Sequence, residues 1–123
     1  MNNKKILIVD DEPHIRALLE QTLESLEDNG TELLFAKDGE EGLAMALHHL
    51  PEIIFLDIMM PKMNGYDACR QIKQQTSSYV VLLTAKGQET DRQKGLEAGA
   101  DEYIFKPFDP DAVLYKAIKL LNR

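Results

Sequence analysis

IIFLDIMMPKMNG, residues 53–65, is the stretch whose reading decides the fold. Ile53, Ile54, Phe55 and Leu56 are apolar without alternation, so a strand here must be buried on both faces, the condition of a parallel sheet covered by helices. The run stops at Asp57. Open α/β sheets bind their ligands outside the carboxyl ends of their strands, so a carboxylate at this point stands where such a sheet does its chemistry. Pro61 and Asn64-Gly65 supply turn and helix-start character, which puts Asp57 at the mouth of a loop.

The same strand-then-helix grammar extends in both directions. Upstream, residues 4–9 predict a strand, directly followed by Asp10, Asp11 and Glu12. Pro13 suits a first helical turn, and acids before it suit the positive end of the helix dipole. Ile15, Leu18, Leu19, Thr22, Leu23 and Leu26 recur at helical spacing and predict one helix ending near Asn29-Gly30. A strand over 31–36 and a helix over 39–50 follow, with Leu43, Ala46, Leu47 and Leu50 as its inner face and Pro51 as its stop. Downstream, a helix over 64–75 buries Ala68, Cys69 and Ile72. YVVLLT predicts a strand ending at Thr84. The stretch 86–99 has few apolar residues besides Leu96 and Ala98, so its helix is expected to be the most weakly held. EYIF forms a last strand ending at Lys106-Pro107. Asp109-Pro110 caps a last helix facing inward through Val113, Leu114, Ala117, Ile118 and Leu121.

Five strands alternating with five helices predict an α/β fold, a doubly wound five-stranded parallel sheet with right-handed crossovers. Alternation does not give strand order; that of the flavodoxin-like (βα)5 class, 2-1-3-4-5, is adopted for it. At 123 residues the chain is expected to be a single domain, 1–123. Its 44% hydrophobic and 28% charged residues argue against disorder. A formal net charge of −7 argues against direct nucleic-acid or anionic-membrane partners, which need a basic face. Cys69 is the one cysteine, which rules out an intrachain disulfide and a CxxC site. The apolar run after Lys4-Lys5 ends after four residues, too short for a signal peptide, and no window is long enough to span a bilayer. A cytoplasmic location is the expectation.

In a parallel sheet the carboxyl ends of the strands share one edge. Asp10 and Asp11 after the first strand, Asp57 after the third, Thr84 after the fourth and Lys106 after the fifth therefore converge on one cleft. Three close carboxylates raise at least one pKa or recruit a cation, and an all-oxygen donor set without His or Cys favours Mg²⁺ or another hard divalent ion such as Mn²⁺. That constellation suits phosphoryl transfer. Lys106 adds positive charge, Thr84 a hydrogen-bond donor, and a carboxylate can itself be the nucleophile. Asp57 is the choice for it, because Asp10 and Asp11 read better as metal binders. Taken singly, Asp10 and Asp11 read as helix-capping acids, Thr84 as a strand end, Lys106 as a solvated lysine and Tyr103 as an edge aromatic; their joint order carries the weight. His14, His48 and His49 have no ligand partners at useful spacing.

VDDE at 9–12, LDIMMPKMNG at 56–65, LLTA at 82–85 and GLEAGADEYIFKPF at 95–108 resemble, with their spacing, the receiver (CheY-like) domain of two-component response regulators. The resemblance implies that Asp57 accepts a phosphoryl group from a phosphohistidine, and that Asp10, Asp11 and the backbone carbonyl of Met59 hold the metal with Asp57. It implies that Thr84 moves to the phosphoryl group, that Tyr103 turns inward with it, and that Lys106 contacts the phosphoryl oxygens across a cis bond to Pro107. Met59 and Lys86 fall where such domains tune self-hydrolysis, and an apolar residue with a long cation suggests partial shielding from water. The implied partners are a sensor histidine kinase or histidine phosphotransfer protein, and a downstream protein or output domain read through the face of helix four, strand five and helix five. The implied protein is a phosphorelay switch and not a turnover enzyme, a monomer or a phosphorylation-dependent dimer. Ala112 and Lys116 stand where DNA-binding regulators that dimerise through that face usually carry Glu and Arg, which argues against that subfamily.

Two other functions compete. A metal-dependent phosphohydrolase with an aspartyl nucleophile would place it after the first strand in an Asp-x-Asp pattern, where this chain reads Asp10-Asp11-Glu12. A flavodoxin-like binding module would carry a Ser/Thr/Gly-rich phosphate loop there, and DDEPHIR would repel a phosphate without a metal.

Overall fold

The computed structural model describes residues 3–85 and 89–122. Its elements follow in the order β1 (Lys5–Val9), α1 (Pro13–Leu23), β2 (Glu32–Ala36), α2 (Gly39–His49), β3 (Ile53–Asp57), α3 (Gly65–Gln75), β4 (Tyr79–Thr84), α4 (Glu89–Ala98), β5 (Glu102–Phe105) and α5 (Pro110–Leu121). The strands form one sheet in the order β2-β1-β3-β4-β5, every pair parallel. The expected fold class and strand order are those observed.

β3 explains the absence of alternation in residues 53–56. Ile53 and Phe55 enter a core with Ile6, Ile8, Val81 and Leu83 beneath α1 and α5, while Ile54 and Leu56 enter a second with Leu7, Val9, Val80 and Leu82 beneath α2 and α3. Each fully buried large aliphatic side chain contributes about 1.5–3 kcal/mol relative to exposure, so the two-sided central strands dominate stability.

Three expectations are corrected. The first helix does not run unbroken to Asn29: α1 ends at Leu23 and tightens into a 3₁₀ segment, Glu24–Asn29, which Gly30 closes at φ 91°. α2 does not face inward through Leu47 and Leu50, both of which are exposed. Its buried residues are Gly39, Gly42 and Ala46. An added Cβ at Gly42 would come within 2.7 Å of Val9 Cγ1, so the glycine lets the helix axis approach the sheet, with Leu43 and Met45 packed against the core beside it and Leu47 and Leu50 left outward. In α5, Ile118 lies outside the buried seam of Val113, Ala117 and Leu121.

Candidate functional site

Two of the candidate acids, Asp10 and Asp57, are placed by buried strands. Asp10 follows β1, is fully buried, and extends the strand by donating its N–H to the Ala36 carbonyl at 3.1 Å. Asp57 is the last residue of β3 and 5% exposed. Lys106 lies between them. Its Nζ donates to Asp10 Oδ2 at 3.0 Å and Asp57 Oδ1 at 3.3 Å, and stands 3.5 Å from Glu12 Oε1. The Lys106–Pro107 peptide bond is cis, and the Lys106 N–H donates to the Thr84 carbonyl at 2.6 Å. That bond carries the edge strand's alignment one residue past β5, to the lysine.

Thr84 is buried at the end of β4, opposite Phe105 of β5. Tyr103 is partly buried on the α3 and α4 side of the sheet. Met59, two residues beyond Asp57, has a side chain on the surface, 77% exposed. Lys86 lies outside the described residues.

The loop after Asp57 is held at several points. Asn64 caps α3, its Oδ1 accepting from the Asp67 N–H at 3.0 Å. The Gly65 N–H donates to the Ile58 carbonyl at 2.8 Å, and an added Cβ at Gly65 would come within 2.7 Å of Ile58 Cα and nearer still to the Asp57 carbonyl oxygen. Only a residue without a side chain closes the loop so tightly on Asp57. Further along, the Met63 backbone rests on Gly39 at the start of α2. Asp38 caps that helix, accepting from the Glu41 N–H at 2.8 Å, and pairs with Lys62 at 3.8 Å.

Two residues escaped the sequence reading. Carboxylate oxygens of Asp10, Asp11 and Glu12 all lie within 4.8 Å of one another, so Glu12 joins the acidic cluster. Its backbone N–H also donates to Asp10 Oδ1 at 2.9 Å. Arg16, one turn into α1, donates from Nη1 to the Asp10 carbonyl at 2.6 Å and pins the acidic loop to the helix. Adjacency to two acids was the available signal for Glu12. Arg16 had none, since its target is a backbone oxygen.

The electrostatics are those of excess negative charge. Burial, followed by the neighbouring Asp10 charge, pushes the Asp57 carboxyl up from 3.8 to about 7, against the opposing pull of Lys106. Burial works to lower the Lys106 pKa, but its hydrogen bond and charge contact with Asp10, with those of Asp57 behind them, outweigh it and hold the ammonium above the ordinary lysine value. One ammonium shared among three acids leaves charge uncompensated. The oxygen-only donor set and that residual charge fit a small hard divalent cation.

The family model of the response regulator receiver domain matches residues 6–119. The chain belongs to that family. Among curated relatives, this receiver is 42% identical to the probable transcriptional regulator ycf27 of Cyanophora paradoxa, over all of this chain and half of that protein. It is 44% identical to the alkaline phosphatase synthesis transcriptional regulatory protein PhoP of Bacillus subtilis, over 98% of this chain and half of that one. The receiver thus spans about half the length of the curated relatives it matches. Among solved structures, the BeF3-activated receiver domain of DrrB superimposes with a TM-score of 0.87 at 33% identity, covering 98% of both chains. Chemotaxis protein CheY4 of Vibrio cholerae does so with 0.83 at 31%, covering 95% of this chain and 98% of its own. Among the described residues of the receiver, no helix is long and apolar enough to cross a membrane.

Proposed function

We propose that the chain is the phosphoacceptor switch of a two-component phosphorelay, with Asp57 as the residue modified. The observation that carries the reading is Asp57 itself: a nearly buried carboxylate at the end of a central strand, its pKa raised to about 7, tied to Asp10 through one shared ammonium. An Asp57 oxygen attacks the phosphorus of a phosphohistidine, the P–N bond breaks, and the imidazole leaves. In this reading Lys106 pairs with the phosphoryl oxygens and the Thr84 hydroxyl donates to them. Asp10, Asp11, Asp57 and the Met59 carbonyl would hold Mg²⁺ or Mn²⁺, with Glu12 beside them. Such an ion supplies charge compensation for the carboxylates and for the transferring group.

A sensor histidine kinase or histidine phosphotransfer protein is the donor in this reading, and the face of α4, β5 and α5 reports to a downstream partner or output domain. Phosphorylation shifts a pre-existing equilibrium of that face, in a monomer or in a dimer that forms on phosphorylation. The similarity to transcriptional regulators weighs against the expectation drawn from Ala112 and Lys116, and makes a regulator of transcription the context to test first. Lys116 keeps the cationic role at its position by pairing with Glu102 of β5.

The test is an intact mass after incubation with Mg²⁺ and acetyl phosphate. One added phosphoryl group is expected, absent from Asp57→Asn and absent without metal. Wild-type protein that gains nothing overturns the reading, and sustained turnover of phosphomonoesters would favour a phosphohydrolase.

A further inference from the structure

Asp10 is fully buried, and neighbours from separate parts of the chain hold its polar groups. Its N–H donates to the Ala36 carbonyl at the end of β2 at 3.1 Å, Oδ1 accepts from the Glu12 N–H at 2.9 Å, and Oδ2 accepts from Lys106 Nζ at 3.0 Å. The remaining group, the carbonyl, accepts from Arg16 Nη1 at 2.6 Å. Arg16 also reaches the same turn through its backbone, whose N–H donates to the Glu12 carbonyl at 3.1 Å. One residue of α1 thus grips the acidic turn on either side of Asp11, at the carbonyls of residues 10 and 12.

The helix gives no reason for a cation at this place. α1 starts at Pro13 with no side-chain cap and no acid in its first turn, and a positive charge near a helix N-terminus opposes the macrodipole. Arg16 is half-buried, so it is not simply solvated. Its side-chain bond ends on a neutral carbonyl, and therefore fixes the backbone of the turn while occupying no carboxylate oxygen. A planar guanidinium is suited to such a hold, because less of its freedom is lost for each hydrogen bond it makes.

From this geometry we infer that Arg16 is a positioning residue for the divalent-cation site. By tying residues 10–12 to α1 it sets the spacing of the Asp10, Asp11 and Glu12 carboxylates, whose oxygens lie within 4.8 Å of one another. The inference deepens the metal reading made under the proposed function and rests on it. Groups that orient metal ligands without touching the metal govern affinity, and losing one costs about 10–100-fold. Charge alone predicts the opposite sign: a guanidinium repels a divalent cation nearby, so its removal would tighten binding. The sign of the change therefore separates the two roles.

Mn²⁺ binding to wild type and Arg16→Met, followed by water-proton relaxation, tests this. Methionine keeps an apolar stem and a good helix propensity and removes the guanidinium. Affinity is expected to fall about ten-fold or more, with an unchanged far-UV circular dichroism spectrum. Unchanged affinity, the mark of a role in stability only, overturns the proposal, and so does tighter binding, the mark of charge only. If Arg16→Met does not fold, Arg16→Gln takes its place with the same outcomes, since its amide falls two bonds short of the Nη1 position. A second arm needs no metal. In metal-free protein the substitution is expected to speed solvent exchange of the Glu12 amide, read by NMR, by a larger factor than exchange of the β3 amides. A factor no larger than that of β3 overturns the hold on the turn. Wild-type protein that binds no Mn²⁺ overturns the metal reading itself, and the exchange arm still decides whether Arg16 holds the turn.

Discussion

β3 and β5 lie two places apart in one sheet and are built to opposite specifications. All five residues of β3 are buried; none of the four of β5 is. β3 has a neighbour strand on each side, whereas β5 is an edge. The helices that follow and precede them differ in the same sense. α3 buries Gly65, Ala68, Cys69 and Ile72, while α4 presents an exposed Leu96 beside its buried Ala98. Regions with few buried apolar contacts open at lower free energy than the core. The residue proposed to be modified therefore stands on a strand buried throughout, while the face proposed to report on it includes the less buried β5 and α4.

The sharpest way to break that contrast is to cut matched side chains from the two strands. Phe55 is fully buried between Ile8 and Val81, so Phe55→Ala is expected to cost about 3–5 kcal/mol in urea unfolding. Ile104 is only partly buried, and Ile104→Ala should cost less than half as much. Comparable losses would mean that β5 is held as firmly as β3.

Charge at the stiff end gives the next effect. In metal-free protein the Asp57 carboxyl titrates near 7 when folded and near 3.8 when unfolded. The folded state thus holds the proton over that window. The associated stability is fully present below about pH 4 and is lost as pH rises through about 7. Asp57→Asn, which keeps an uncharged group in the same place, is expected to stabilise the protein by on the order of 2 kcal/mol at pH 8 and to change little at pH 4. Urea midpoints at the two pH values check this. An equal gain at both would show that shape, not charge, is what the site strains against.

Much of the contrast was already visible in the chain, and the physical reason separates what was visible from what was not. Burial on both faces leaves a period-free apolar run, so β3 and its Asp57 could be read directly; in a parallel sheet the strand ends then bring Asp10, Asp57, Thr84 and Lys106 to one edge. What hydrophobic periodicity cannot register is contact made by the absence of a side chain. Gly42 against Val9 brings α2 onto the sheet through its small residues, keeping Leu43 inward and leaving Leu47 and Leu50 outside, and Gly95 beneath Tyr103 left no apolar signal. Contacts to backbone oxygens were equally silent, as with Arg16 on Asp10. The 3₁₀ segment after α1 was hidden because Leu26 keeps helical spacing and stays buried through a tighter turn.

A smaller effect tests how the loop after Asp57 is anchored. Asp38 is buried and caps α2 on the helix that supports Met63. Asp38→Ala is expected to cost about 1 kcal/mol, and to slow phosphorylation by acetyl phosphate, because the loop after Asp57 rests on that helix start. Lost stability with an unchanged phosphorylation rate would separate the cap from the loop.

The smallest effect is expected where the contrast says the fold has least invested. Leu96 is 59% exposed on α4, so Leu96→Ser removes little buried area and should move stability by no more than about 0.5 kcal/mol in urea unfolding. A loss of more than about 1 kcal/mol would mean that α4 is fastened through its outer surface as well as through Gly95 and Ala98, and that the reporting face is stiffer than its burial indicates. With stability unchanged, the exposed leucine on the proposed reporting helix adds nothing to the fold, and weaker binding of a downstream partner by Leu96→Ser is then the difference to measure.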